Sequence, residues 1–169
     1  MSDYPLRHTA RLLILDPANR LLLIEYSAAL RESAAYPGLR RFWFTPGGGI
    51  EADETAEQAA LREMDEEVGL RGLPLLGEVA RRTALNDVFT RAAICHERYF
   101  LVRTPDARFD TARLAETDVD EVLDVRWWAL GELAATGDTL IPRAVLTLAR
   151  RIVSGDMPAA PVDLAALEG

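Results

Sequence analysis

Gly48-Gly49-Ile50-Glu51-Ala52-Asp53-Glu54-Thr55-Ala56-Glu57-Gln58-Ala59-Ala60-Leu61-Arg62-Glu63-Met64-Asp65-Glu66-Glu67-Val68-Gly69-Leu70 is the stretch that decides the fold. A glycine-rich loop runs into a helix, and the helix ends in a knot of carboxylates. From Glu51 to Glu67 there are eight acids and one base, Arg62, a net of −7 against −8 for the whole chain. The acidity of the protein is therefore mostly local. Thr55 with Gln58 three residues on forms a capping box, which satisfies two otherwise orphan N–H groups. Ala56, Ala59, Ala60, Leu61, Arg62, Glu63 and Met64 are good helix formers, and Gly69 suits the left-handed position past the C-terminus. Helical periodicity places Leu61, Met64 and Val68 on one side, the expected core face. Ala56, Ala59, Ala60, Glu63, Glu66 and Glu67 form a second stripe, small at its start and anionic at its end.

Glu63, Glu66 and Glu67 are spaced i, i+3, i+4, so they are neighbours and repel by a few tenths of a kcal/mol per pair. They also occupy the last turns, where the macrodipole disfavours each anion by roughly 0.3–1 kcal/mol. A solvated acidic face is the bland explanation. A hard divalent cation explains better why the charges gather at the unfavourable end beside small residues. Oxygen-only ligands on a partly open site suit Mg²⁺ or Mn²⁺, with substrate phosphates completing the shell.

The stretch resembles the Nudix box, Gly-x5-Glu-x7-Arg-Glu-U-x-Glu-Glu-x-Gly-U with U a bulky aliphatic residue. Gly48, Glu54, Arg62, Glu63, Met64, Glu66, Glu67, Gly69 and Leu70 fill every fixed position. Trp43-Phe44-Thr45-Pro46-Gly47 before the box and Arg126-Trp127-Trp128 late in the chain are also similar to the family. The resemblance implies an α/β fold, a Nudix-type α/β/α sandwich with a mixed β-sheet. It further implies metal-dependent hydrolysis of a pyrophosphate bond in a nucleoside diphosphate linked to another moiety. On the family's pattern Glu63, Glu66 and Glu67 are the metal ligands, with the Gly48 carbonyl as an extra one, and Arg62 and Glu54 are orienting partners. The family often draws a further base or ligand from a later loop; Glu97, Glu116 and Glu121 are the candidates. A proline that accompanies ADP-ribose hydrolases would fall at Asn86. The tyrosine of dinucleoside polyphosphate hydrolases is missing from Asn86, Asp87 and Val88, and the coenzyme A and NADH signatures do not appear. A nucleoside triphosphate, a nucleotide sugar or a related diphosphate remains. The rival readings are a non-catalytic nucleotide-sensing module of the same family and a plain structural domain.

The length fits one domain over residues 1–155 with a loose tail over 156–169, in which Val162, Leu164 and Leu167 are able to dock. No run approaches the roughly 18 apolar residues of a membrane span, and no signal peptide opens the chain. With a single cysteine, Cys95, no internal disulfide forms. A cytoplasmic protein acting on a small nucleotide or diphosphate is the natural reading, with no membrane or nucleic-acid partner and with a homodimer left open. All 19 bases are arginine, a residue able to grip phosphate with two parallel hydrogen bonds.

Apolar runs at 8–15 and 21–26 flank Asp16-Pro17-Ala18-Asn19-Arg20, which reads as a hairpin. Residues 27–41 read as a loop, either a surface insertion or a substrate contact through Arg31, Arg40 and Arg41. Strands are expected at 41–44, 75–84, 93–102 and 121–128. A turn is expected at Gly131, and a helix from Pro142 to about Ile152. Trp127 and Trp128 must point to opposite faces of their strand, and His8 and His96 read as structural.

Overall fold

Strands β1 (Leu6–Leu15) and β2 (Leu21–Ser27) close around a turn that Asp16 builds. Its carboxylate accepts from the backbone N–H of Ala18 at 3.0 Å and of Arg20 at 2.8 Å, while Asn19 takes the left-handed conformation at φ 58°. The computed structural model describes residues 3–28, 32–114 and 119–168. Along the chain follow β3 (Arg41–Phe44), β4 (Gly47–Gly49), α1 (Ala56–Val68), β5 (Glu78–Asn86), β6 (Ala93–Arg103) and β7 (Val122–Trp128). Then come α2 (Leu130–Ala135), α3 (Ala144–Val153), β8 (Val162–Asp163) and a 3₁₀ turn (Leu164–Leu167).

The strands form one mixed sheet in the order β3-β2-β1-β6-β5-β8, with β4 added to β1 and β7 to β2. β1 runs parallel to β6 along its whole length, from Leu6↔Ile94 to Leu15↔Arg103. On its other side it meets β2 only at Leu15↔Leu21, so its first half is free to pair antiparallel with β4, through Thr9↔Gly49, Ala10↔Gly48 and Arg11↔Gly47. The near-continuous apolar run of β1 is explained by burial on both faces. Leu12, Ile14 and Leu22 pack under α1, against Ala59, Ala60, Met64 and Val68. Leu13, Leu15, Leu21 and Leu23 pack on the other face with Leu133 of α2 and Val145, Leu148 and Ile152 of α3. This is the expected α/β/α sandwich.

Several expectations need correction. Leu61 is 41 % exposed and does not belong to the core face of α1; the buried stripe is Ala56, Ala59, Ala60, Met64 and Val68. The alanines lie against the sheet because their small side chains let the helix approach it closely. Gly131 sits inside α2, where Leu133 docks into the core, and not in a turn. α3 starts two residues after Pro142. Residues 162–167 are not loose: Val162 pairs with Ala80 at the β5 edge, and Leu164 is fully buried beside α3. Trp128 is buried and Trp127 half-buried, as opposite faces of a strand require.

Candidate active site

α1 begins at the predicted capping box, with Thr55 accepting from the Gln58 N–H and Gln58 from the Thr55 N–H, and ends at Gly69 with φ 66°. The helix presents its carboxylates to β4. That strand must be bare. A Cβ on Gly48 would collide with the Glu63 carboxylate, one on Gly47 with the backbone of β1, and one on Gly49 would stand 3.0 Å from the Arg7 guanidinium. Glycine is needed here for close approach.

Arg62 is the hub. It grips Glu54 with two hydrogen bonds, Nε to Oε2 at 2.8 Å and Nη2 to Oε1 at 2.6 Å. Its Nη1 donates to Glu63 Oε1 at 2.9 Å and to Glu66 Oε2 at 3.4 Å, and Nη2 donates to the Gly49 carbonyl at 2.9 Å. One guanidinium thus ties the loop, β4 and the two carboxylates together. The Arg62 bonds hold the Glu54 carboxyl down to about 2. Burial pushes the Glu63 carboxyl up, against the pull of Arg62. Glu67 lies deeper, 5 % exposed, and accepts from the Gly47 N–H at 2.5 Å and from the Tyr26 hydroxyl at 3.4 Å.

Glu63, Glu66, Glu67 and Gly48 line one cleft of about 230 Å³. The same cleft is lined by Arg7, Arg11, Arg91, Asn86 and Asp120. Phe89 also lines it, resting edge-on against Tyr26, Phe42 and Phe44 at ring-centroid distances of 5.0–5.2 Å. Asp120 accepts from the Thr90 N–H at 2.7 Å and so pins the segment that carries Arg91. The donors facing the cleft from α1 and β4 are all carboxylate or carbonyl oxygens, the set a hard divalent cation takes. Among the described residues no three His, Cys, Asp or Glu side chains converge as they stand; Arg62 bridges Glu63 and Glu66, while the Gly47 N–H holds Glu67.

The other candidates fall elsewhere. Arg40 is exposed, and Arg41 is exposed beside Glu25 at 3.4 Å; neither lines the cleft. Arg31 and Glu116 lie outside the described residues. Glu121 is exposed and does not line the cleft, whose carboxylate from that region is its neighbour Asp120. Glu97 is 1 % exposed, with its oxygens taken by Arg82 and Tyr99 at 2.9 Å and by Asn86 at 3.0 Å, so it lies behind the cleft wall. Cys95 lines the cleft, but burial raises its thiol. His8 and His96 pair ring to ring at 5.3 Å on neighbouring strands. Sequence reasoning missed Arg7 and Arg11. The available signal was a charged residue inside the apolar run of β1, where only a site or a buried partner would retain it.

A family model for the NUDIX domain matches residues 5–148. The chain belongs to the Nudix family. An RNA pyrophosphohydrolase of Acidiphilium cryptum is 32 % identical over 121 residues, 68 % of this chain and 70 % of that protein. An 8-oxo-dGTP diphosphatase of Proteus vulgaris is 39 % identical over 70 residues, 41 % of this chain and 56 % of that protein. The crystal structure of a MutT protein from Methanosarcina mazei Go1 shares the fold, with a TM-score of 0.62 at 17 % identity over 92 % of this chain and 99 % of that one. The protein is thus a Nudix hydrolase, an enzyme of phosphoric anhydrides. No helix among the described residues is long and apolar enough to cross a membrane.

Proposed function

We propose that this Nudix hydrolase cleaves, with Mg²⁺ or Mn²⁺, the pyrophosphate bond of a nucleoside 5′-triphosphate or a related nucleoside diphosphate derivative such as a nucleotide sugar. The observation that carries the reading is the cleft itself, which brings the carboxylates of Glu63, Glu66 and Glu67 together with the guanidiniums of Arg7, Arg11 and Arg91. A polyphosphate chain is polyanionic: the arginines can take it directly, and the carboxylates take it through a cation. Glu63, Glu66, Glu67 and the Gly48 carbonyl would hold the cation, which when bound neutralises phosphate oxygens and acidifies a water. Arg62, donating to both Glu63 and Glu66, orients these carboxylates toward the cleft. Arg7, Arg11 and Arg91 bind and orient the phosphate chain. Phe89, braced by three aromatic rings, offers a flat apolar surface to the rest of the substrate. The relatives named as an RNA pyrophosphohydrolase and an 8-oxo-dGTP diphosphatase favour the triphosphate, free or at an RNA end. A cytoplasmic location follows from such a substrate.

The test is a screen of nucleoside triphosphates, nucleotide sugars and a 5′-triphosphate RNA with Mg²⁺ and with Mn²⁺, following released phosphate and pyrophosphate. Turnover of a triphosphate that stops in excess EDTA supports the reading. Full turnover in EDTA removes the metal role, and turnover confined to nucleotide sugars removes the triphosphate.

A further inference from the structure

Arg11 is a buried cation without a close acceptor. It is 8 % exposed and lines the cleft. Its Nη1 donates to the Thr45 carbonyl at a long 3.4 Å, and its Nε stands 3.7 Å from Glu97 Oε1. The guanidinium lies over the Phe44 ring at 4.5 Å from the centroid. Among the described residues Arg11 Nε has no hydrogen-bond partner at all, and neither has the buried hydroxyl of Thr9 two residues before it. Arg82 is different: it meets Glu97 Oε2 at 2.9 Å. Two buried guanidiniums therefore share one buried carboxylate, and Arg82, Asn86 and Tyr99 already occupy its oxygens closely. Leaving a buried charge under-satisfied is costly unless another acceptor arrives. The cleft opens on this residue, so the acceptor can come from the substrate.

We infer that Arg11 contacts the phosphoryl oxygens of the substrate and that Glu97 is its positioning residue. The inference rests on the phosphoanhydride reading above and assigns one side chain of the cleft to the phosphate chain. Phe44 below and Glu97 and Thr45 at its sides set the plane of the guanidinium before substrate arrives. A preset planar fork suits phosphate, which it can grip with two parallel hydrogen bonds. Glu97 therefore acts through Arg11, not on the reacting atoms. Its neighbours Arg82, Asn86 and Tyr99 keep it fixed.

The experiment compares wild type with Arg11→Met and Arg11→Lys. Inorganic pyrophosphate is titrated calorimetrically into the metal-free protein in EDTA, and KM and kcat are measured with Mg²⁺ and a triphosphate. Met matches the arginine stem as far as Nε and keeps an apolar group beside Phe44, while Glu97 keeps its three other partners. Arg11→Met should therefore melt no lower than wild type, yet bind pyrophosphate at least about tenfold more weakly, since the loss of even one of the two hydrogen bonds to a charged group costs that much. KM should rise more than kcat falls. Arg11→Lys keeps the charge and loses the fork, so its affinity should fall between the two; it also carries the test if the Met variant does not fold. Wild-type pyrophosphate affinity and wild-type KM in the folded variants would overturn the inference, as would the absence of pyrophosphate binding by wild type. If wild type hydrolyses no anhydride, the preceding proposal fails, and the metal-free titration still decides whether Arg11 takes phosphate.

Discussion

Replacing Glu67 by glutamine and by alanine should separate the metal ligand from the structural acceptor. The carboxylate accepts from the buried Gly47 N–H at 2.5 Å. Glu67→Gln keeps an oxygen there, and turns a charge-assisted bond worth about 1.5–3 kcal/mol into a neutral one worth about 0.5–1.5 kcal/mol, a loss of about 1 kcal/mol. Against this, the amide relieves the i, i+4 repulsion with Glu63, about 0.2–0.5 kcal/mol. It also removes an anion from the helix C-terminus, roughly 0.3–1 kcal/mol. The terms nearly cancel, so the metal-free Gln variant should lie within about 1 kcal/mol of wild type. Glu67→Ala removes the acceptor, leaves the Gly47 N–H buried without a partner, and should cost about 1–3 kcal/mol. Both should lose turnover, because neither supplies the charged ligand a hard cation needs. The assay is denaturant unfolding in EDTA beside a rate measurement in Mg²⁺. If the Gln variant is as unstable as the Ala variant, the Gly47 N–H requires the carboxylate itself and the cancellation is wrong. Wild-type turnover in the Gln variant would remove Glu67 from the metal site.

Arg62→Ala dissolves the hub that holds Glu54, Glu63 and the Gly49 carbonyl, and should lower activity or metal affinity about 10–100-fold, as for partners that orient ligands; an unchanged rate at limiting Mg²⁺ refutes this. Glu54 is held to about 2 in the folded protein from an ordinary 4.5. A depressed carboxyl contributes stability above its unfolded value and loses it as pH falls through the folded one. The stability gap between wild type and Glu54→Gln should therefore narrow from pH 4.5 toward pH 2; thermal melts across that window that keep a constant gap would show that the Arg62 grip does not hold the carboxyl down. Leu164→Ala should destabilise by about 2–5 kcal/mol, the usual cost of truncating a buried leucine, whereas a change below about 1 kcal/mol would mean that residues 162–167 add nothing to the core.

The helix and its carboxylates were legible because their causes are local. A capping box, a terminal glycine and a fixed spacing lie within one stretch of chain, and Arg62 reaches its partners Glu54, Glu63 and Glu66 from the same stretch. The core face of α1 was not legible, because hydropathy favours Leu61 over alanine while the sheet selects for size. The arginines of the cleft escaped for another reason. Arg7 and Arg11 from β1, Arg91 from the β5–β6 connection and Asp120 before β7 are far apart in sequence, and the β1–β6, β5–β6 and β2–β7 pairings bring them to one cleft. Glu97 looked like a free carboxylate because nothing in the sequence shows that Arg82, Asn86 and Tyr99 surround it. The docking of Leu164 depends on an open β5 edge, which is a property of the whole sheet.

One face of β1 changes character partway along its length. Arg7, Thr9 and Arg11 line the cleft, whereas Leu13 and Leu15, in the same alternation, belong to the core under α2 and α3. The floor of the cleft is therefore the continuation of the hydrophobic core and not a loop laid over it. A slip of one residue between β1 and β6 would turn the arginines toward α1 and bring Leu12 into the cleft. Catalytic geometry and correct strand register are thus a single condition. On heating, the cleft floor should persist until the sheet itself melts, so the part of substrate binding that rests on Arg7 and Arg11 should disappear over the same few degrees as the cooperative fold.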